Sequence, residues 1–303
     1  MSVKYKIKGH ETFAIREGWL NKGIAAVYDN PKVFQQNSGA DALGVGTNMA
    51  KAIRYWMRTA GLLENRKDGV YLTELGKLIY EKDCYMEDRM TLWIIHSNIA
   101  ANKELATVWY LFFNAGTLFN ASALKEFTKD ILYVEITRML ELYTEKEELS
   151  VRSISDDCNV LLHMYTDRKE ENDDPEEKRK SPFAELGLLK REGKHYKKTT
   201  PKLNHLHPFI FWYVLKNMFM ESRELNIRNI IEDENSPGRL MHLGRIEVNH
   251  YLDILEEEDI ITVNRTAGLD MVYEKKKVDS LEILRQYYST GRRINNEQHD
   301  YHR

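Results

Sequence analysis

The chain has 303 residues, 42% of them apolar and 30% charged, and a formal net charge of −3. That length supports two domains or three small ones, and the mix excludes a disordered or membrane-embedded chain. No run of about 18 apolar residues is present to span a bilayer, and the two cysteines, Cys84 and Cys158, stand far apart in no CxxC or zinc pattern, as expected of reduced thiols in a cytoplasmic protein.

The charge is unevenly spread. Residues 1–82 carry 13 Lys and Arg against 8 Asp and Glu, and the remainder carries 31 against 39. A nucleic-acid protein needs a basic surface rather than a basic total, and the N-terminal part can supply one. The start, MSVKYKIKGHETF, has lysines with no apolar stretch after them and does not read as a secretory signal.

Residues 44–82 are the most legible. From Asn48 to Ala60 the pattern is helical: Ala50, Ile53, Met57 and Ala60 share one face, and Lys51, Arg54 and Arg58 share another. Thr47 is the expected N-cap and Gly61 the expected C-cap. LLEN, RKDG and VYLT then read as two short strands joined by an Asp-Gly turn, and Thr73 begins another helix. Helix, strand, basic turn, strand, helix is the order of a winged helix-turn-helix, in which the helix before the hairpin enters the major groove and the hairpin tip approaches phosphates.

Arg89–Ala101, Leu105–Asn114 and Lys125–Tyr143 read as helices, with Trp93, Trp109, Phe112 and Phe113 in the core. Asp156–Tyr165 reads as a helix start with acids in its first turn. The charge run 167–180 reads as an exposed loop and domain boundary. Beyond it come a helix–strand–turn–strand pattern with Arg191-Glu192-Gly193-Lys194 at its tip, an aromatic helix over 206–220, and three helices leading to two strands around Asn264 to Leu269. The expected class is mainly α with small β-hairpins, built of winged helix-turn-helix-like modules. The expected organisation is a DNA-binding winged-helix region (1–82), a helical region (83–167), a C-terminal winged-helix-like region (181–290) and a polar tail (291–303).

Four groups of residues invite a chemical reading. The stretch Gly44 to Met49, ahead of a basic helix, offers backbone N–H groups to a phosphate, or is a flexible turn. Lys51, Arg54 and Arg58 with the turn residues Arg66 and Lys67 suit a DNA backbone, or form a solvated face. His10 and Glu11 with Arg16, Trp19 and Lys22 suit a metal or a scissile phosphate, or pair within a helix. Asp156 and Asp157 with Asn159 and His163 suit Mg²⁺, or only favour a helix dipole. His96, in WIIHSN, reads as a buried, satisfied histidine.

Several phrases together resemble one prokaryotic family of unknown function, numbered 4007: GHETFAIREGWLNKGI (9–24), GVGTNMAKAIRYWMRTAGLL (44–63), YLTELGKLIY (71–80), LWIIHSNIA (92–100), SPFAELGLL (181–189), SPGRLMHLGR (236–245) and TAGLDMVYEK (266–275). The resemblance places His10, Glu11, Thr12, Arg16, Trp19 and Lys22 in an N-terminal signature, and Gly46, Asn48, Met49 and Arg54 in a helix signature. It implies a component of a single-strand DNA phosphorothioation and phage-defence system that nicks one DNA strand so that sulfur can enter the backbone. Implied partners are DNA, a cysteine desulfurase, an ATP-pyrophosphatase-like sulfurtransferase and an ATPase. On this expectation Mg²⁺ or Mn²⁺ is held by Glu11 or by Asp156 and Asp157, His10 is the base, and Arg16, Lys22, Thr47, Asn48, Lys51, Arg54, Arg58, Arg66 and Lys67 contact DNA. The alternative is a winged-helix adaptor or transcriptional regulator that binds DNA without cutting it.

Overall fold

The computed structural model describes residues 4–114, 126–144, 149–166, 181–268 and 270–291. The charge run 167–180 and the polar tail after 291 lie outside them, as do two residues at which sequence-based elements begin or end, Lys125 and Leu269. The fold is mainly α with small antiparallel sheets. No helix among the described residues is long and apolar enough to cross a membrane.

The N-terminal part holds α1 (Trp19–Asp29), a short α2 (Ala40–Leu43), α3 (Thr47–Thr59), the strands β1 (Leu63–Arg66) and β2 (Gly69–Leu72), and α4 (Glu74–Lys82). α3 buries Ala50, Ala52, Ile53, Tyr55, Trp56 and Met57 and leaves its remaining stripe in solvent. Its cap is Gly46, and Thr47 is the first helical residue rather than the cap; the Thr47 hydroxyl instead donates to Asn37 Oδ1 at 3.1 Å. At the other end the cap is Ala60, and the expected cap Gly61 stands one residue beyond it in a Schellman motif: Gly61 N–H bonds Arg58 O at 3.1 Å and Leu62 N–H bonds Met57 O at 2.9 Å, with Gly61 left-handed at φ +74°. α4 begins at Glu74 rather than at the expected Thr73, which caps it by accepting from Gly76 N–H.

The β1–β2 turn corrects the Asp-Gly expectation. Arg66 pairs with Gly69, so the turn residues are Lys67 and Asp68. Gly69 is needed for close approach instead: a Cβ there would stand 2.7 Å from Pro31 O, because the Pro31 carbonyl accepts from Val70 N–H at 2.8 Å.

Next come α5 (Arg89–Ala101) and α6 (Thr107–Asn114), buried along nearly their whole length. β3 (Glu126–Thr128) follows, then α7 (Lys129–Tyr143), α8 (Val151–Tyr165) and the hairpin β4 (Leu189–Glu192) and β5 (His195–Lys198). The third part holds α9 (Pro208–Phe219), β6 (Glu224–Asn226), α10 (Ile227–Glu232), α11 (Pro237–Leu240), α12 (Arg245–Glu257), the hairpin β7 (Ile261–Asn264) and β8 (Met271–Glu274), and α13 (Ser280–Gln286).

Two three-residue strands, β3 and β6, are absent from the sequence reading. Each adds antiparallel to the second strand of the hairpin that follows, giving sheet orders β3-β5-β4 and β6-β8-β7. Both are built alike: a buried apolar residue in the middle, Phe127 or Leu225, and a last residue, Thr128 or Asn226, whose side chain caps the next helix. Three residues are too few for an alternation to register. In the N-terminal part the Pro31 loop holds the corresponding place beside β2. Among the described residues a helix ahead of a hairpin therefore recurs, directly as α3–β1–β2 and α12–β7–β8, and as α8–β4–β5 with a 3₁₀ turn (Pro182–Leu186) before β4.

The recurring units share one apolar core that runs without a break from Ile15 to Tyr287, with Trp56, Trp93, Trp109 and Trp212 fully buried. His96 is one of its polar joints. Its Nδ1 meets the Tyr165 hydroxyl and its Nε2 the Leu240 carbonyl, both at 2.7 Å, linking α5, α8 and α11. Burial lowers its pKa to about 4.

Candidate nucleic-acid interface

Thr47, Asn48, Lys51, Arg54 and Arg58 are all exposed, at spacings that put them along one side of α3. That helix contains no acidic residue. Among the described residues no carboxylate lies within 4 Å of Lys51, Arg54 or Arg58. The Arg54 guanidinium sits 5.4 Å from the centre of the Phe34 ring, which limits its rotamers without neutralising it. Gly44 is left-handed at φ +62°, and a Cβ at Gly44 or Gly46 would meet nothing within 4 Å. The backbone leading into α3 is therefore open to solvent.

The adjoining hairpin is less cationic than its sequence suggests. Arg66 is paired with Glu64 and lies 4.6 Å from the Tyr71 ring centre. The Tyr71 hydroxyl donates to Asp68 at 2.7 Å, and that bond holds the Asp68 carboxyl below its ordinary range. Lys67 is exposed at the turn. Arg16 is half-buried, its guanidinium 5.7 Å from the Phe13 ring centre and 5.4 Å from that of Trp19; Lys22 is exposed on α1.

The structure brings together two groups that the sequence holds 147 positions apart, His10 and Asp157, and it does so in the interior. The His10 ring is fully buried and Asp157 is 2% exposed. His10 Nδ1 accepts from Thr12 N–H at 3.1 Å, which leaves the ring proton to Nε2. Nε2 lies 2.9 Å from Asp157 Oδ1, but off the line of a straight hydrogen bond, so the attraction is mainly electrostatic. The same oxygen accepts from Lys8 N–H at 2.9 Å, and the Lys8 ammonium reaches Asp156 at 2.9 Å. The ring stacks on Trp56 (5.5 Å, 6°) and meets Trp109 edge-on. Burial raises the Asp157 carboxyl, against the opposing pull of His10 and Lys8 N–H.

This arrangement fastens residues 6–13 across α3, α6 and α8. Lys6 N–H bonds Thr107 Oγ1 at 2.9 Å, and the Trp56 indole N–H bonds Phe13 O at 2.9 Å. Lys8, Glu11 and Thr12 all have positive φ, a conformation that non-glycine residues keep only where their surroundings hold them.

Asp156 and Asp157 are not in a first helical turn. α8 begins at Val151, capped by Ser150, so the helix dipole gives no account of them; their partners on the N-terminal segment do. Glu11 is half-buried. Among the described residues no three His, Cys, Asp or Glu side chains are grouped to hold a metal ion. His163 is exposed near the end of α8, and Cys158 is buried, its thiol pushed up to about 12 by desolvation.

A family model described as protein of unknown function (DUF4007) matches residues 7–288. Two solved structures have a similar fold. One is described as an SspB crystal structure (TM-score 0.82, 23% identity, covering 96% of this chain and 90% of that one). The other is described as a magnesium ion-bound SspB crystal structure (TM-score 0.80, 23% identity, the same coverage). No curated protein matches the chain.

Proposed function

The chain belongs to the DUF4007 family, and from that membership we propose that it is a DNA-binding component of a DNA phosphorothioation system, docking on duplex DNA through α3 in the manner of a winged helix. The observation that carries this reading is the exposed, acid-free stripe Thr47, Asn48, Lys51, Arg54 and Arg58 on a helix whose other face is locked into a tryptophan-rich core. A rigid helix with cations on its open side matches the spacing of phosphates along a groove. The open backbone at Gly44 and Gly46 supports a phosphate contact at the helix start. Arg66 and Lys67 would flank the same backbone, and Arg16 and Lys22 extend the basic surface. The implied partners, a cysteine desulfurase, a sulfurtransferase and an ATPase, would work on DNA that this chain holds.

Nicking of one strand is the second reading, favoured by the similar fold solved with magnesium bound. His10, Asp156 and Asp157 fit that chemistry poorly. Asp157 is committed to His10 and Lys8 N–H, Asp156 to the Lys8 ammonium, and the His10 ring is sealed from solvent. A base must reach the proton it removes. We assign the His10–Asp157 pair to fastening the N-terminal segment beneath α3.

Supercoiled plasmid incubated with the purified chain in Mg²⁺, in Mn²⁺ and in EDTA separates the readings. A gel shift that persists in EDTA and weakens steeply with salt, with the plasmid intact, is expected. Absence of any shift at low salt would defeat the DNA-binding proposal. Open-circle product that requires metal would establish nicking and call for a centre elsewhere in the chain.

A further inference from the structure

We infer that the β4–β5 hairpin is a second DNA-backbone contact, separate from α3. The inference rests on the DNA-binding reading above and extends it to a second surface of the chain.

The three hairpins differ sharply in charge. Residues 63–72 hold two basic and two acidic residues, and residues 261–274 hold one and two. Residues 189–198, LKREGKHYKK, hold five basic residues and one acid. The most cationic hairpin of the repeat is thus not the one beside α3.

Its geometry turns most of that charge outward. Leu189 and Tyr196 are buried, and Tyr196 stacks on Phe127 of the neighbouring strand. Lys198 also faces in: its ammonium donates to Phe112 O at 2.7 Å and sits 4.1 Å from that ring centre. These contacts fix the sheet to the core. Lys190, Arg191, Lys194 and Lys197 are exposed. Lys190 is paired with Glu192 at 2.7 Å, and Arg191 is bent back onto Gly193 O at 3.0 Å. Among the described residues Lys194 and Lys197 have no carboxylate within 4 Å.

Register adds the decisive feature. Lys190 and Lys197 are cross-strand partners, and like charges directly opposite one another destabilise a sheet. A lysine on an edge strand also guards against edge-to-edge pairing of sheets, and β4 is an edge. β5, however, is the central strand, and on its other side Lys197 faces Glu126 of β3, whose carboxylate lies 3.6 Å from His195 rather than within 4 Å of Lys197. A polyanion laid across the hairpin relieves the repulsion and uses the rigid platform beneath it. The even spacing of phosphates along a duplex suits a row of lysines that present charge without a shaped pocket.

The test is duplex binding by the full chain, read by fluorescence anisotropy over a range of salt. The variants are K190Q/K194Q/K197Q, the milder single variant K194Q, and R54Q/R58Q. All the hairpin positions are solvent-facing, and circular dichroism checks that each variant is folded. The expected result is a salt slope lower by about 1 for each lysine removed. Its loss of affinity should multiply with that of R54Q/R58Q when all five changes are combined. If R54Q/R58Q weakens binding while K190Q/K194Q/K197Q leaves both affinity and slope unchanged, the second contact is overturned. If the hairpin variants weaken binding and R54Q/R58Q does not, the hairpin contact stands and the docking role of α3 falls. Should K190Q/K194Q/K197Q instead lose binding to anionic phosphatidylserine vesicles with DNA binding intact, the hairpin serves a lipid surface and the inference is wrong.

Discussion

α3 and α12 hold the same place in the repeat, each running into an antiparallel hairpin, yet their open faces are opposites. α3 carries Lys51, Arg54 and Arg58 with no acid; α12 carries Glu247, Asp253, Glu256 and Glu257 with one Arg, Arg245. Much of the acidity of α12 is used inside its own unit. Glu247 accepts from Gly244 N–H, Glu256 from Val263 N–H, and Asp253 binds Arg265 at 2.5 Å. The two helices agree on their inner faces, where Ile53 and Trp56, or Val248, Tyr251 and Leu252, are buried. What recurs is the packing that makes the unit. What diverges is the open face, because surface substitutions cost the fold little.

Reversing charge on each helix in turn should separate their open faces most strongly. Arg54→Glu with Arg58→Glu is expected to weaken duplex binding by about 100-fold at moderate salt, and Asp253→Lys with Glu257→Lys to change it by less than about threefold. Anisotropy titrations measure both. Equal effects would mean that net charge, rather than the α3 face, governs binding.

Interior changes should act on stability instead. His10→Ala strands Asp157 in the core and opens a gap beneath Trp56, and is expected to lower the unfolding free energy by about 3–5 kcal/mol. Urea denaturation is the check, and a cost below 1 kcal/mol, about a surface pair's worth, would show that the pair does not fasten the N-terminal segment. Asp157→Asn keeps an oxygen for Lys8 N–H and should cost less than Asp157→Ala. Burial raises the Asp157 carboxyl, so protonation favours the folded chain. That contribution is present below the ordinary carboxylate range and is lost as pH rises through the raised value. The stability of Asp157→Asn should therefore decline less than that of the parent across this window.

His96 titrates with the opposite sign. Its pKa falls from 6.5 to about 4 in the folded chain, so between those values the unfolded chain binds more protons. Stability is full above 6.5 and is lost as pH falls toward 4. Urea midpoints taken across this range should drop, and a flat profile would mean that the buried ring is matched by an unseen partner.

The smallest effects are expected at the turns around α3. Gly61→Ala places a Cβ at φ +74° and should cost about 1 kcal/mol in stability. Gly69→Ala meets Pro31 O and should cost more, with the difference readable in thermal melts. If Gly61→Ala proves the worse of the two, the close approach of the Pro31 loop is looser than its 2.8 Å bond to Val70 implies.

The amphipathic pattern of Asn48–Ala60, the turn glycine Gly61 just past α3, a helix start within one residue of Thr73, the span Arg89–Ala101 and the buried aromatics were legible in the sequence, because each depends on neighbours three or four residues away. So was the basic stripe of α3, and the standing of His96 as a core histidine. β3 and β6 were not, since a three-residue strand exists only by pairing with a hairpin far along the chain. Nor was the reason for Gly69, which lies in the distant Pro31 carbonyl, nor the mid-helix position of Asp156 and Asp157. Local periodicity and capping are enough to say which residues can form helices and which faces carry charge. Packing across the fold is what sets His10 against Asp157 beneath Trp56, Arg66 beside Glu64, and Lys190 opposite Lys197. Each is a matter of distance between side chains, and distance across a fold is set by how its elements pack.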